Sequence, residues 1–141
     1  MTTVNDILAL LEQFAPVSLA ESWDNVGLMA GNSAQAVSKV LCALDVTEGV
    51  VAEAIQNGAQ LIVAHHPLIF TSVHAVTTRD ATGRALINAI QHQISVICMH
   101  TNAYCAEGGV NDALAETLGL ADIVNLEAGE NGMLGRVGNL P

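Results

Sequence analysis

Short, uninterrupted apolar runs alternate with amphipathic segments along most of this chain. Three apolar runs are predicted to be strands, at 39–44, 60–64 and 94–99. Three segments with apolar residues at helical spacing are predicted to be helices, at 48–56, 81–91 and 110–118. Strands that lack polar alternation and are separated by helices are typical of a parallel sheet buried on both faces. The pattern therefore predicts an α/β fold, with a largely parallel sheet and helices on both of its faces.

Weaker patterns occupy the two ends of the chain. Residues 3–14 predict an amphipathic helix, in which Thr3 and Asp6 have the spacing of a capping box. Two further short strands are predicted, at 26–30 and 121–127. Residues 128–141 are rich in glycine and end in proline, so we expect a loop there.

Length and charge narrow the class of protein. The 141 residues, 51% of them hydrophobic, predict one globular α/β domain over 1–141. Four Lys and Arg face 14 Asp and Glu, which gives a formal net charge of −10. Four cationic side chains can neutralise only a few phosphates. The charge balance therefore argues against nucleic acid and anionic membrane surfaces as partners.

The cysteines and the apolar runs point to a compartment. No run approaches the ~20 apolar residues that a membrane-spanning helix needs, and we see no signal peptide. The three cysteines are an odd number without metal-finger spacing, and Cys42 and Cys98 are predicted to be small core residues. A reducing cytoplasm is the simplest setting for such a chain.

Each of the three predicted buried strands ends in a polar group. The endings are Asp45-Val46-Thr47, His65-His66-Pro67 and His100-Thr101-Asn102. In an open parallel sheet, ligands bind beyond the carboxyl ends of the strands. We therefore expect three segments that are distant in sequence to meet at one edge of the sheet.

The histidines among these endings are candidates for metal chemistry. Imidazole is a good ligand for zinc, iron, nickel or copper, so His65 and His66 are predicted metal ligands. His100 is predicted to be a catalytic residue, although it can equally be a ligand or a binder of an anionic substrate. Asp45 can orient a histidine, bind a ligand directly or form a turn with Thr47.

Three other segments have weaker signals. The run 108–112 opens a predicted helix with two glycines, which suits either a phosphate site or an ordinary flexible entry. Asp24 and Asn25 can reach the same edge or simply form a turn, and Trp23 is predicted to be a packing residue. His74 and His92 are predicted to lie on the surface.

Five segments together resemble one known family. They are Trp23-Asp24-Asn25-Val26-Gly27-Leu28, Leu44-Asp45-Val46-Thr47, His65-His66-Pro67-Leu68-Ile69-Phe70, His100-Thr101-Asn102 and Gly108-Gly109-Val110-Asn111-Asp112. Their order and spacing are similar to those of the GTP cyclohydrolase 1 type 2 / NGG-one-interacting-factor-three-like family, over the whole chain. The resemblance implies two similar α/β lobes, two divalent metal ions in the cleft between them, and often a hexameric ring. It also implies that His65 and His66 bind metal and that His100 lines the metal cleft.

The chain departs from the family pattern in two respects. The family usually has His-Thr-Asn-x-Asp, with the aspartate as a metal ligand, and here Tyr104 takes that position. A phenol then replaces a carboxylate that can bridge two cations, and whether Glu107 substitutes for it is left open. Family members also continue well beyond this length, so 1–141 resembles the first lobe, with 128–141 leading towards an absent second one.

Two hypotheses about function follow. The first is a metal-dependent hydrolase, or its metal-binding half, acting on an unknown small molecule, with nucleotides as one class suggested by the family resemblance. The sequence does not distinguish zinc, iron, nickel and manganese. The second is a non-catalytic binding or assembly module with an incomplete metal site. Under either hypothesis we expect a homo-oligomer.

Overall fold

A computed structural model of the chain describes residues 1–127, 129–130 and 133–140. Its α-helices are α1 (Val4–Phe14), α2 (Glu48–Asn57), α3 (Ala81–Gln91), α4 (Thr101–Cys105) and α5 (Val110–Thr117), and Val17–Leu19 forms one 3₁₀ turn. The strands are β1 (Gly27–Ala30), β2 (Val40–Ala43), β3 (Leu61–Ala64), β4 (Ser95–Cys98), β5 (Ala121–Leu126) and β6 (Gly135–Asn139). None of the helices in these ranges is long and apolar enough to cross a bilayer.

The main sheet has four strands in the order β1-β4-β3-β2. β3 runs parallel to both β2 and β4, whereas β1 runs antiparallel to β4 at one edge. The prediction of an α/β fold with a largely parallel sheet is therefore confirmed. The three strands predicted from apolar runs and the three helices predicted between and after them all form within two residues of their predicted bounds.

Helices cover both faces of the two central strands. Alternate residues point to opposite sides of a strand, so β3 and β4 supply two separate cores. One core contains Ile62, Ala64 and Val96 and is covered by α2 and α3. The other contains Leu61 and Ile97 and is covered by α1 together with α4. The central strands are thus buried on both faces, as their uninterrupted apolar sequence requires.

Local signals fix the helix ends. Thr3 and Asp6 form the predicted capping box of α1, in which the Thr3 hydroxyl accepts from the Asp6 N–H. The Thr47 hydroxyl caps α2 in the same manner, and Gly58 ends that helix in the left-handed conformation at φ 64°.

The prediction for Cys42 is wrong, because this residue is exposed. β2 is the edge strand of the sheet, and its residues alternate between exposed and half-buried. An apolar run in an edge strand looks like a buried strand in sequence, although only one of its faces is covered. Cys98 lies in the central strand β4 and is buried as predicted, and burial raises the pKa of its thiol to about 12.

The expectation of a loop over 128–141 is also corrected in part. Residues 135–139 form β6, which pairs antiparallel with β5 in a separate two-stranded sheet. The backbone N–H of Glu130 donates to the Glu21 carboxylate, which ties this segment to the first part of the chain. Residues 128, 131, 132 and 141 lie outside the described residues.

An ion pair joins this two-stranded sheet to α5. Arg136 donates through both Nε and Nη2 to the Asp112 carboxylate, and its side chain is almost entirely buried. The hydrogen bond from Arg136 is the main reason that the pKa of Asp112 is lowered. Two parallel bonds between guanidinium and carboxylate fix the orientation of β6 as well as adding stability.

We expect Asp112→Ala to lower the free energy of unfolding by about 2 kcal/mol, because the Arg136 guanidinium loses its charged partner. Since the folded carboxyl has a lowered pKa, its stabilisation is present above the ordinary value of 3.8 and is lost as the pH falls below it. Urea unfolding at neutral and acid pH measures both effects. Glu116→Ala, on the exposed side of the same helix, is the control, and an equal loss there contradicts the prediction.

Candidate metal centre

His65, His66 and His100 meet at the carboxyl edge of the sheet. His65 and His66 directly follow β3, and His100 lies two residues after β4. One nitrogen from each ring lies within 4.8 Å of the chosen nitrogens of the other two. The ring centroids are 5.1, 5.2 and 5.7 Å apart. The parallel strands thus bring together the three histidines that the sequence singled out.

The backbone explains how two adjacent histidines converge. The N–H groups of His65 and His66 donate to the carbonyls of Ala43 and Leu44, so pairing with the edge strand continues past the end of β3. Pro67 follows and cannot donate to a ladder. The chain leaves the sheet at this point, and both rings turn towards the same side.

Hydrogen bonds orient all three imidazoles. Each Nδ1 lies against an oxygen acceptor: His65 against the Met99 carbonyl at 2.9 Å, His66 against Asp45 Oδ1 at 2.8 Å and His100 against Asp24 Oδ1 at 2.9 Å. Carbonyl and ionised carboxylate oxygens cannot donate, so each Nδ1 must carry the proton. In the neutral ring, Nε2 then keeps its lone pair for a ligand. Metal-binding histidines in proteins are commonly held by such a second hydrogen bond.

The Nε2 atom of His65 is the strongest sign of a ligand. It is buried and has no hydrogen-bond partner among the described residues. Burial lowers the pKa of His65. The hydrogen bond to the Met99 carbonyl acts in the opposite direction, and the neighbouring His100 and His66 rings lower the pKa further. A buried imidazole that stays neutral and presents an unpaired lone pair fits a divalent cation.

Asp24 is a fully buried carboxylate behind His100. It accepts from His100 Nδ1 and from both the N–H and the hydroxyl of Thr101, at 2.9, 3.0 and 2.5 Å. Burial alone raises the pKa of this carboxyl, but the bonds from His100 and Thr101 outweigh burial and hold the pKa below its usual range. Asp24 therefore stays ionised and keeps His100 in one orientation.

Asp45 holds His66 in a similar way from the end of β2. Of the alternatives that the sequence left open, the structure shows the contact with a histidine, and Thr47 caps α2 instead. Asp45 and His66 are both about half exposed, so this pair is more open to solvent than Asp24 and His100.

Tyr104 lies beside the histidines where the family pattern has a carboxylate. Its ring centroid is 4.8 Å from that of His65 and 5.6 Å from that of His100. Within the described residues, no carboxylate joins the three histidines as a direct ligand group. Glu107, the open alternative, lines a different cavity between α5 and the β5–β6 sheet.

Sequence reasoning missed the short helix α4 and gave Asp24 only an open role. Within this segment, the Asn102 side-chain oxygen accepts from the His100 N–H. The Asn102 amide also donates to the Ala15 carbonyl, which binds α1 to the site. Trp23, predicted to pack inside, is 56% exposed. His74 and His92 are exposed as predicted.

The fold and this edge define an α/β protein with a candidate three-histidine metal centre. The model of the family described as Duf34/NIF3 (NGG1p interacting factor 3) matches residues 2–141. The chain belongs to this family, which confirms the resemblance inferred from the motifs.

Individual relatives agree with this assignment. A GTP cyclohydrolase 1 type 2 homolog of Clostridium perfringens is 46% identical over 116 residues, which are 82% of this chain and 44% of the relative. A NIF3-related protein of Bacillus cereus has a TM-score of 0.85 at 45% identity, covering 89% of this chain and 35% of the other. Reduced HcgD from Methanocaldococcus jannaschii has a TM-score of 0.86 at 33% identity, and the match covers 97% of this chain and 54% of HcgD. The chain spans 32–44% of the length of three such GTP cyclohydrolase 1 type 2 homologs.

In metal-free protein, we expect the His65 ring to titrate at a lower pH than it does in the urea-unfolded chain. The cause is burial, which disfavours the imidazolium. Because the folded pKa is the lower one, folding stability from this group is present above the unfolded value and declines as the pH falls. Nitrogen NMR of labelled histidine, with His65→Gln to assign the signal, measures the shift. A folded value at or above the unfolded one contradicts the prediction.

Proposed function

We propose that this chain binds a divalent metal ion through His65 and His66 and forms the metal-binding part of a hydrolase. The observation that carries the proposal is the buried, unpaired Nε2 of His65 among three imidazoles that are each fixed through Nδ1. Three imidazoles suit zinc, iron or nickel better than hard cations that prefer oxygen. When bound, such an ion activates water and polarises a substrate.

His100 is the proposed catalytic residue. Its Nδ1 proton is held by the buried carboxylate of Asp24, so a proton can be taken up or released only at Nε2. Asp24 also stabilises the imidazolium that forms when His100 accepts a proton. This arrangement of a histidine oriented by a carboxylate is that of a general acid or base.

We propose that the chain alone holds one ion, and holds it weakly. His65 and His66 supply two neutral imidazoles, which leave coordination sites open, and Tyr104 supplies no carboxylate to bridge a second cation. The family resemblance implies two ions, with further ligands from residues beyond this length. We propose that the substrate is a small molecule. Because the relative is named a GTP cyclohydrolase 1 type 2 homolog, a nucleotide is the first class to test.

A cytoplasmic location is proposed as well. Cys42, Cys98 and Cys105 are all free thiols, and Cys42 is exposed. Exposed free thiols persist in reducing compartments, which supports this location.

Metal analysis tests the proposed centre. After loading with zinc and exhaustive dialysis, we expect His65→Ala and His66→Ala to lose metal relative to the unchanged chain. The affinity of each variant for zinc should fall by more than roughly 10–100-fold. That range is typical when a residue that hydrogen-bonds to a metal ligand is replaced. Asp45→Asn, which alters such a neighbour, should show the smaller effect.

His92→Ala is the matched control, because it removes an exposed histidine that directly follows α3 and is outside the three-histidine group. Equal metal content in the control and in His65→Ala contradicts the proposal. Circular dichroism of every variant separates lost ligands from lost folding.

A second candidate function, assembly with other copies of the chain, is supported by exposed apolar residues on the β5–β6 sheet. Val124 and Val137 are cross-strand partners, and both are about half exposed, as is Leu126 on the same strand as Val124. Isolated two-stranded sheets are marginal in water, so a covering surface would stabilise this one. We therefore propose a homo-oligomer, for which the family resemblance implies a hexameric ring.

We expect light scattering to show that the unchanged chain is an oligomer. The double variant Val124→Lys/Val137→Lys should dissociate at a protein concentration at least about tenfold higher than the unchanged chain does. Two lysines replace apolar surface that association would bury. Val73→Lys/Val76→Lys, which changes equally exposed valines of a loop, is the control. A stable monomer of the unchanged chain contradicts the assembly proposal without affecting the metal proposal.

A further inference from the structure

A cavity of about 200 Å³ opens beside the three-histidine cluster. It is lined by Trp23, His100, Thr101, Tyr104, Asn111 and Leu134. Trp23 is the only tryptophan of the chain, and 56% of it is exposed. The cavity therefore joins a large exposed aromatic surface to the ring of the proposed catalytic histidine.

Trp23 is held in place although it is exposed. The preceding residue, Ser22, donates from its N–H and its hydroxyl to the Glu130 carboxylate, at 2.9 and 2.6 Å. The following residue is Asp24, which is buried under His100. The Phe70 ring contacts the indole edge-on, with centroids 6.1 Å apart and an interplanar angle of 63°. Because the residues on either side are held and Phe70 contacts the ring, Trp23 loses little conformational entropy when a ligand stacks on it.

Two polar side chains of the cavity wall already have hydrogen-bond partners. The Thr101 hydroxyl donates to Asp24, and the Asn111 amide donates to the Leu134 carbonyl at 2.7 Å. The side chains that offer unused surface are thus Trp23, the Tyr104 ring and the His100 edge. Among the residues that the structure describes, no lysine or arginine lines the cavity, and the Asp24 carboxylate lies behind the His100 ring. These walls favour an uncharged aromatic surface over a phosphate or carboxylate group.

We propose that this cavity binds a planar, uncharged heteroaromatic ring that stacks on Trp23 and presents its edge to His100. Cavities that enclose a whole drug-sized ligand measure about 300–1,000 Å³, so this one has room for a single ring system while the rest of the ligand lies outside. The inference deepens the proposed function by naming the part of the substrate that the chain recognises, and it rests on that function for its catalytic meaning. Ring binding itself needs no metal, because the walls are formed by the chain alone.

Fluorescence of the single tryptophan tests the inference in chelator-treated, metal-free protein. Adenosine, a neutral nucleoside with a purine ring, is expected to change the Trp23 emission in a saturable manner, and ribose at the same concentrations is not. Quenching that rises linearly, as for free N-acetyltryptophanamide, overturns the proposal. Binding of ribose 5-phosphate but not of adenosine also overturns it, because it would show that the site recognises an anion and not the ring.

Equilibrium dialysis of variants locates the binding. Trp23→Phe is expected to keep most of the adenosine affinity, whereas Trp23→Leu should lower it by roughly 5–100-fold, the range found when one stacking aromatic is removed. Phe14→Leu is the control, because Phe14 is 51% exposed on α1 and does not line the cavity. Unchanged affinity in Trp23→Leu, or an equal loss in Phe14→Leu, contradicts the proposal. Failure of the metal proposal shows separately, as unchanged metal content in His65→Ala.

Discussion

The buried carboxylate of Asp24 connects most of the parts on which the site depends. It accepts hydrogen bonds from His100 and Thr101, which follow β4, while its own residue belongs to the loop before β1. A charge in this position is costly unless several donors satisfy it, and here three donors from His100 and Thr101 and the N–H of Asn25 do so. Because His100 and Thr101 lie 76 and 77 residues away in sequence, their bonds fix the loop that carries Trp23. The His100 ring and the exposed indole of Trp23 are therefore positioned by one carboxylate, that of Asp24.

The sheet supplies the remaining constraint. β3 is parallel to both of its neighbours, so the residues that follow β2, β3 and β4 arrive at one edge. Asp45 from one strand end holds His66 from the next. The Met99 carbonyl from the third holds His65. The ends of β2 and β4 thus each orient one of the two histidines that follow β3. A shift of one residue in either register would separate the three nitrogens.

Sequence reasoning predicted the parts of this structure that local chemistry decides. The apolar runs and the Thr3 capping box each act within a few residues, and each was found as predicted. The gathering of His65, His66 and His100 was also predictable, because a parallel sheet brings strand ends together whatever the details of packing.

What sequence could not decide depends on long-range neighbours. Cys42 is exposed because β2 is an edge strand, and strand order is not visible in a hydrophobic pattern. The β6 strand forms in a glycine-rich segment only because β5 lies beside it and Arg136 pairs with Asp112. Trp23 looked like a packing residue since large aromatics are usually buried, whereas the bonds of Ser22 and Asp24 on either side hold it in the open.

The substitution of Tyr104 for a carboxylate changes the electrostatics proposed for the metal centre. A divalent ion held by imidazoles alone keeps most of its charge, since these ligands are neutral, and a charge that is not neutralised polarises water more strongly. Asp24 and Asp45 offset that charge from behind the rings of His100 and His66 rather than by direct contact. The same substitution adds an aromatic wall beside His100, opposite an indole that is already exposed. A site that loses an anionic ligand and gains ring surface is better suited to a single ion and an uncharged, planar substrate group than to two ions bridged by oxygen.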